Sequence, residues 1–75
     1  MRKSLKNFAD AQEIILKSHD NRDWKTCSDM WLWDRAFQEM LELQEAIMSG
    51  GDIKHETCDV ANFMMMIFDN KEGSE

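Results

Sequence analysis

Apolar side chains recur at helical spacing in three segments of the chain. Between about Ser4 and Ser18, Leu5, Phe8, Ala9, Gln12, Ile15 and Leu16 follow one i, i+3, i+4 stripe. Lys6, Asp10, Glu13 and Lys17 take the opposite face, and Ser4 offers an N-cap hydroxyl. From His19 to Cys27 the period is lost, and this Asp- and Asn-rich stretch reads as a loop with Trp24 tucked against the helices. Ser28 or Asp29 then caps a second helix, from about Met30 to Met48. Its apolar side comprises Trp33, Ala36, Phe37, Met40, Leu41, Ile47 and Met48, interrupted by Gln44. Gly50 and Gly51 end it with residues that tolerate positive φ. Asp52 caps a third helix, from about Ile53 to Asn70, and Lys71 to Glu75 read as a frayed polar tail.

With no proline and no strand-like alternation, the pattern predicts an all-α fold: a short helical hairpin preceded by an N-terminal helix. The 75 residues, 1–75, make one domain. A chain this short buries only roughly 60% of its unfolded surface, so a metal or a partner chain is expected to help hold it. The third helix sharpens that point. From Val60 to Phe68 it is apolar around nearly its whole circumference, and such a helix must be covered on every side. The expectation is a homodimer or homotetramer built through residues 60–68.

Charge and composition exclude several roles. Net charge is −6, and no basic stripe follows the short Arg2, Lys3, Lys6 start, so binding to nucleic acid phosphates is disfavoured. The apolar run in the third helix is too short to span a membrane. Cys27 and Cys58 match no metal-ligand or redox spacing. Together with seven methionines and no signal peptide, this points to a reducing cytoplasm. No Ser-His-Asp set, phosphate-binding glycine loop or zinc spacing is present.

The chemistry-bearing feature is acidic. Glu39 with Glu42, and Glu56 with Asp59, are each spaced i,i+3, so each pair projects from one side of a helical turn. A hairpin closing at Gly50 and Gly51 brings the pairs towards each other, and hard divalent cations take oxygen ligands of this kind. The plain alternative is that Glu39, Glu42 and Glu45 form a solvated face. Glu56 and Asp59 fall beside Val60, Phe63, Met66 and Ile67, however, and a partly buried carboxylate needs a cation or a metal. Arg35, Lys54 and His55 are the salt-bridge alternatives. Trp24, Trp31 and Trp33 offer flat faces for a base, although packing is their commoner use. His19 reads as a helix-terminal residue, His55 as a neighbour of the acids, and Cys58 as a buried inert thiol.

Glu39-Met-Leu-Glu42 followed by Glu56-Thr-Cys-Asp59-Val-Ala-Asn62 resembles the ExxE…ExxDxxN signature of MazG-like all-α nucleoside triphosphate pyrophosphohydrolases, especially small phage-type members. The likeness spans about residues 20 to 70 and includes Asn21-Arg22-Asp23-Trp24. Taking Glu39 and Glu42 as the first pair leaves 13 residues before Glu56, which suits the family, whereas Glu42 and Glu45 leave 10. Gln38 stands where many relatives carry another Glu. The resemblance implies a MazG-like bundle completed by oligomerisation. Glu39, Glu42, Glu56 and Asp59 would be catalytic ligands of Mg2+, with Mn2+ able to substitute. A nucleoside triphosphate would be cleaved between its α and β phosphates to a monophosphate and pyrophosphate. Asn62, Lys54, Arg35 and Trp31 would bind substrate. Larger relatives add a further helical segment with basic residues; here Lys71 and a partner's Arg2, Lys3 and Lys6 supplement Arg35 and Lys54. A nucleotide-capturing protein without cleavage, and a helical interaction protein, remain the two other readings.

Overall fold

The computed structural model describes residues 1–19 and 23–72, in which three α-helices and one short 3-10 turn follow in order. Helix α1 spans Lys3–Ser18, α2 Asp29–Ser49 and α3 Ile53–Glu72, with the turn at Trp24–Thr26. The class is all-α. Among the described residues no helix is long and apolar enough to cross a membrane.

Local chemistry sets the boundaries. The Ser28 hydroxyl accepts the Trp31 backbone N–H at 3.0 Å and so caps α2. Asp52 Oδ1 accepts the His55 N–H at 3.1 Å and does the same for α3. Gly50 ends α2 in the left-handed region, φ 79°, which a residue with a Cβ adopts at a cost. Gly51 has a different reason: a Cβ there would sit 3.3 Å from Ala46 Cα. At the chain start the expectation fails. Helix α1 begins one residue earlier than expected, with Arg2 at its cap position and no side-chain cap, so Ser4 is an interior residue. Helix α3 also runs further, to Glu72, and Lys71 pairs with Asp29 at 2.6 Å instead of fraying. Residues 20–22 of the expected loop and 73–75 of the expected tail lie outside the described residues.

Helix α3 is the centre of the molecule. It packs against α2 along the hairpin and against α1, while α1 and α2 do not pack on each other among the described residues. The core is narrow: Leu32, Ala36 and Ala46 from α2 meet Cys58, Asn62 and Met66 from α3 as the buried set. This corrects the expected inward face of α2. Its buried residues are Leu32, Ala36 and Ala46, with Leu43 half-buried on the same row, whereas Trp33, Phe37, Met40, Leu41, Ile47 and Met48 are exposed. The reason is steric. Ala36, Ala46 and Gly51 let the hairpin close tightly, and the larger side chains do not fit in that seam.

Two polar contacts fix the remaining pieces. Asn62, buried in α3, accepts from Gln12 Nε2 at 3.1 Å and donates to the Gln12 carbonyl at 3.3 Å, which registers α1 on α3. Trp24 is tucked in as expected: its indole N–H donates to Asp69 Oδ2 at 2.9 Å and its carbonyl accepts from Asn70 Nδ2 at 3.0 Å. Lys25 Nζ reaches the same Asp69 carboxylate at 2.7 Å. Lys25 and Trp24 together hold the Asp69 carboxyl below its usual range.

Leu32 is fully buried and Trp31 is exposed, so their truncations should differ sharply. Leu32→Ala is expected to cost about 3 kcal/mol in chemical denaturation. Trp31→Ala should stay within about 0.5 kcal/mol. Equal losses at the two positions would contradict this packing.

Candidate functional site

The row that buries α2 against α3 has an acid in its middle. Glu39 lies between Ala36 and Leu43 on the 3.6-residue period, so it enters the seam instead of standing outside the apolar stripe, as the sequence pattern suggested. Its side chain is 13% exposed. Opposite, one turn of α3 supplies Glu56 and Asp59, both half-buried as expected. Carboxylate oxygens of Glu39, Glu56 and Asp59 all lie within 4.8 Å of one another. Glu42 is exposed, and its charge bears on both Glu39 and Glu56. Three of the four acids of the two i,i+3 pairs thus meet at one seam, and Glu42 stays exposed at its rim.

Cations ring the cluster on one side. Arg35, one turn before Glu39, donates to it at 3.1 Å and to Gln38 Oε1, while its guanidinium lies 5.1 Å from the Phe63 ring centroid. That is cation–π distance, with the aromatic face supplied by α3. Two imidazoles flank Asp59. His55 Nε2 is 3.3 Å from Oδ2 and His19 Nε2 is 3.9 Å from Oδ1, so α1 and α3 each bring a histidine to the same carboxylate.

The charge balance within the cluster remains unfavourable. Burial, the Glu42 hydrogen bond and the charges of Glu42 and Asp59 push the Glu39 carboxyl up to about 7, and Arg35 only partly opposes them. Glu56 is raised as well, by burial first and then by Asp59 and Glu42. Near neutral pH the Glu39 carboxyl is therefore partly protonated. Cys58, beside Asp59 in sequence, is buried with its thiol pushed up by burial, so it supplies no ready thiolate.

The gap between α1 and α2, floored by α3, is a cavity of about 430 Å3. Arg35, Glu39, Asp59 and Phe63 form one side of it, and His19 and Trp24 close it from α1 and the 3-10 turn. Lys17 and Glu13 of α1 also line it, although the periodicity assigned them to a solvated face. Of the expected substrate-binding residues, Arg35 stands in this wall. Asn62 also reaches the cavity, but both ends of its amide are engaged by Gln12. Lys54 and Trp31 are exposed and do not line it. His19, Lys17 and Phe63 were not legible as site residues. The signal that leads to them is the pair Gln12 and Asn62, each a polar residue inside an apolar stripe, because their mutual bond sets where α1 lies.

The donor set fits a hard divalent cation. Oxygens on opposite poles of one ion lie at most about 4.2 Å apart for magnesium and about 4.8 Å apart for calcium. With oxygens within 4.8 Å of one another, the three carboxylates fall inside the larger limit.

The raised Glu39 carboxyl gives a signed pH dependence. Folding moves it from an ordinary 4.5 to about 7, so between these values the folded chain binds more protons than the unfolded one. Stability should therefore fall as pH rises through that window, and Glu39→Gln should flatten the fall. Denaturation midpoints of both proteins at several pH values check this; an unchanged slope in the variant would contradict the seam electrostatics. Compared with models of known protein families, with curated proteins and with solved structures, the chain matches none.

Proposed function

We propose that the chain is a magnesium-dependent nucleoside triphosphate pyrophosphohydrolase, cleaving between the α and β phosphates. The observation that carries this reading is the meeting of Glu39, Glu56 and Asp59 at the edge of a cavity that also presents Arg35 and Lys17. Acids and cations lining the same cavity suit a metal-bound polyphosphate, which carries both charges.

Glu39, Glu56 and Asp59 would hold the cation, with Glu42 reaching it from the rim. A bound divalent ion supplies charge to the phosphate oxygens and lowers the pKa of a coordinated water. The chain's own residues do the rest. Arg35 is already partly desolvated against Phe63 and offers a planar fork for phosphate oxygens. Lys17 adds a second positive charge from α1. His19 and His55 orient the Asp59 carboxylate through its two oxygens. The Glu39 carboxyl, partly protonated near neutral pH, would ionise beside a bound cation, because positive charge favours the ionised form. Phe63 and Trp24 are the aromatic walls available to a base. The cavity volume falls within the range of about 300–1,000 Å3 that small-molecule sites occupy.

The competing capture reading, in which a nucleotide is held but not cleaved, draws on one observation. Arg35 is committed to Glu39 and Gln38, which leaves Lys17 and His19 as the other cationic side chains lining the cavity. One experiment separates the two. The protein is incubated with Mg2+ and a panel of triphosphates, and the products are resolved by chromatography. Monophosphate and pyrophosphate should appear and be lost by at least a hundredfold in Asp59→Asn. Nucleotide bound and returned intact would establish capture instead, and no magnesium-dependent binding or turnover would sink both readings. Calorimetry of Mg2+ binding in buffers of different ionisation enthalpy should further show proton release near pH 7, absent in Glu39→Gln.

A further inference from the structure

Two demands fall on one carboxylate of the seam. Glu39 Oε1 accepts from the Arg35 guanidinium at 3.1 Å, and Glu39 is also one of the three acids whose oxygens gather within 4.8 Å. The Arg35 side chain is 30% exposed and that of Glu39 13%, so water screens this pair only in part. The charges of Glu42 and Asp59 oppose ionisation of the Glu39 carboxyl, whereas that of Arg35 favours it. Arg35 is therefore the counter-charge that α2 itself supplies to the acids. A second contact holds its fork to Gln38 Oε1.

We propose that Arg35 makes the site selective for polyphosphate in complex with a divalent cation and closes it to polyphosphate alone. The inference rests on the cation site and the polyphosphate substrate proposed above, and adds the exchange of partners that couples them. While Arg35 is on Glu39, its fork is spent on Glu39 and Gln38. The carboxylates then face an incoming phosphate oxygen with like charge, and Lys17 of the cavity wall does not offset three converging acids. With a divalent ion bound, Glu39 divides its charge between that ion and Arg35. Two cations on one half-buried carboxylate repel each other, so Glu39 holds the guanidinium less firmly. Arg35 already lines the cavity, and its freed fork turns to the polyphosphate that accompanies the ion.

Two features of this chain suit such an exchange. Gln38 holds the guanidinium through a neutral amide oxygen, so release breaks no ion pair there. Phe63 offers the guanidinium a face 5.1 Å away that does not depend on the carboxylate, so Arg35 stays beside the cavity when Glu39 lets go. Glu39 and Arg35 thus determine which form of the ligand is accepted.

Calorimetric titrations of the whole chain with Mg2+ and with inorganic tripolyphosphate test the exchange without any turnover. Arg35→Gln should act in opposite directions on the two ligands. It should bind Mg2+ at least about threefold more tightly than the native chain, because the competitor for Glu39 is gone. It should bind tripolyphosphate with Mg2+ at least about tenfold more weakly. The native chain should take tripolyphosphate only when Mg2+ is present. Should Arg35→Gln fail to fold, NMR of the native chain gives the same answer: Mg2+ alone should speed exchange of the Arg35 guanidinium protons with water. Unchanged or weaker Mg2+ binding by folded Arg35→Gln overturns the proposal. So do guanidinium protons indifferent to saturating Mg2+, or tight binding of metal-free tripolyphosphate by the native chain. No Mg2+ binding by either form overturns the exchange along with the site it serves. Failure of the hydrolase reading alone looks different: the exchange is seen, yet chromatography finds every triphosphate intact.

Discussion

The close approach of α2 and α3 is the constraint on which the rest of this molecule depends. Small residues make it possible: Ala36 and Ala46 within the seam, and Gly51 packed against the Ala46 backbone at the turn. Because the seam is narrow, the residue that shares its row, Glu39, is carried inward with it. Its arrival beside Asp59 and Glu56 follows from packing, and the crowded charge follows from its arrival. A wider hairpin with leucines in place of the alanines would keep the helices and move the carboxylates apart.

The second consequence is the cavity. Helix α3 receives α2 on one side and α1 on another, so the two outer helices stand apart and leave a trough above α3. Gln12 and Asn62 hold α1 at the back of that trough, while Trp24, anchored to Asp69 and Asn70, closes one end. The polar contacts that stabilise the fold are thus the same ones that give the acidic seam a walled neighbour. Charge crowding is left in the seam itself, where Glu39 sits near a pKa of 7. Such a perturbed group beside a cavity is the pattern in which functional sites are commonly found.

Much of this was legible in the sequence. The three helices, the caps at Ser28 and Asp52 and the glycine turn follow from short-range rules, and the hairpin they define brings Glu39 to Glu56 and Asp59. The partly buried setting of Glu56 and Asp59 followed from their apolar neighbours on α3. The inward face of α2 followed only at Ala36, because hydrophobicity alone favours Trp33 and Phe37 and passes over Ala46. Which side packs was decided by size, and size matters only once the partner helix is known. The start of α1 was misjudged for a related reason: Ser4 has the right chemistry for a cap, but nothing in its sequence neighbourhood compels its use. His19 and Lys17 reach the cavity through the placement of α1, a tertiary fact that local periodicity does not carry.

The central claim is that Glu39, Glu56 and Asp59 act together as one divalent-cation site. Substoichiometric Mn2+ added to isotope-labelled protein tests it directly, because the paramagnetic ion broadens nearby NMR signals first. Early loss of signals from residues 39, 56 and 59 and reversal by excess Mg2+ are expected, while the exposed Asp34 and Asp10 stay sharp. Uniform broadening across all surface acids, or none until Mn2+ is in large excess, would contradict it.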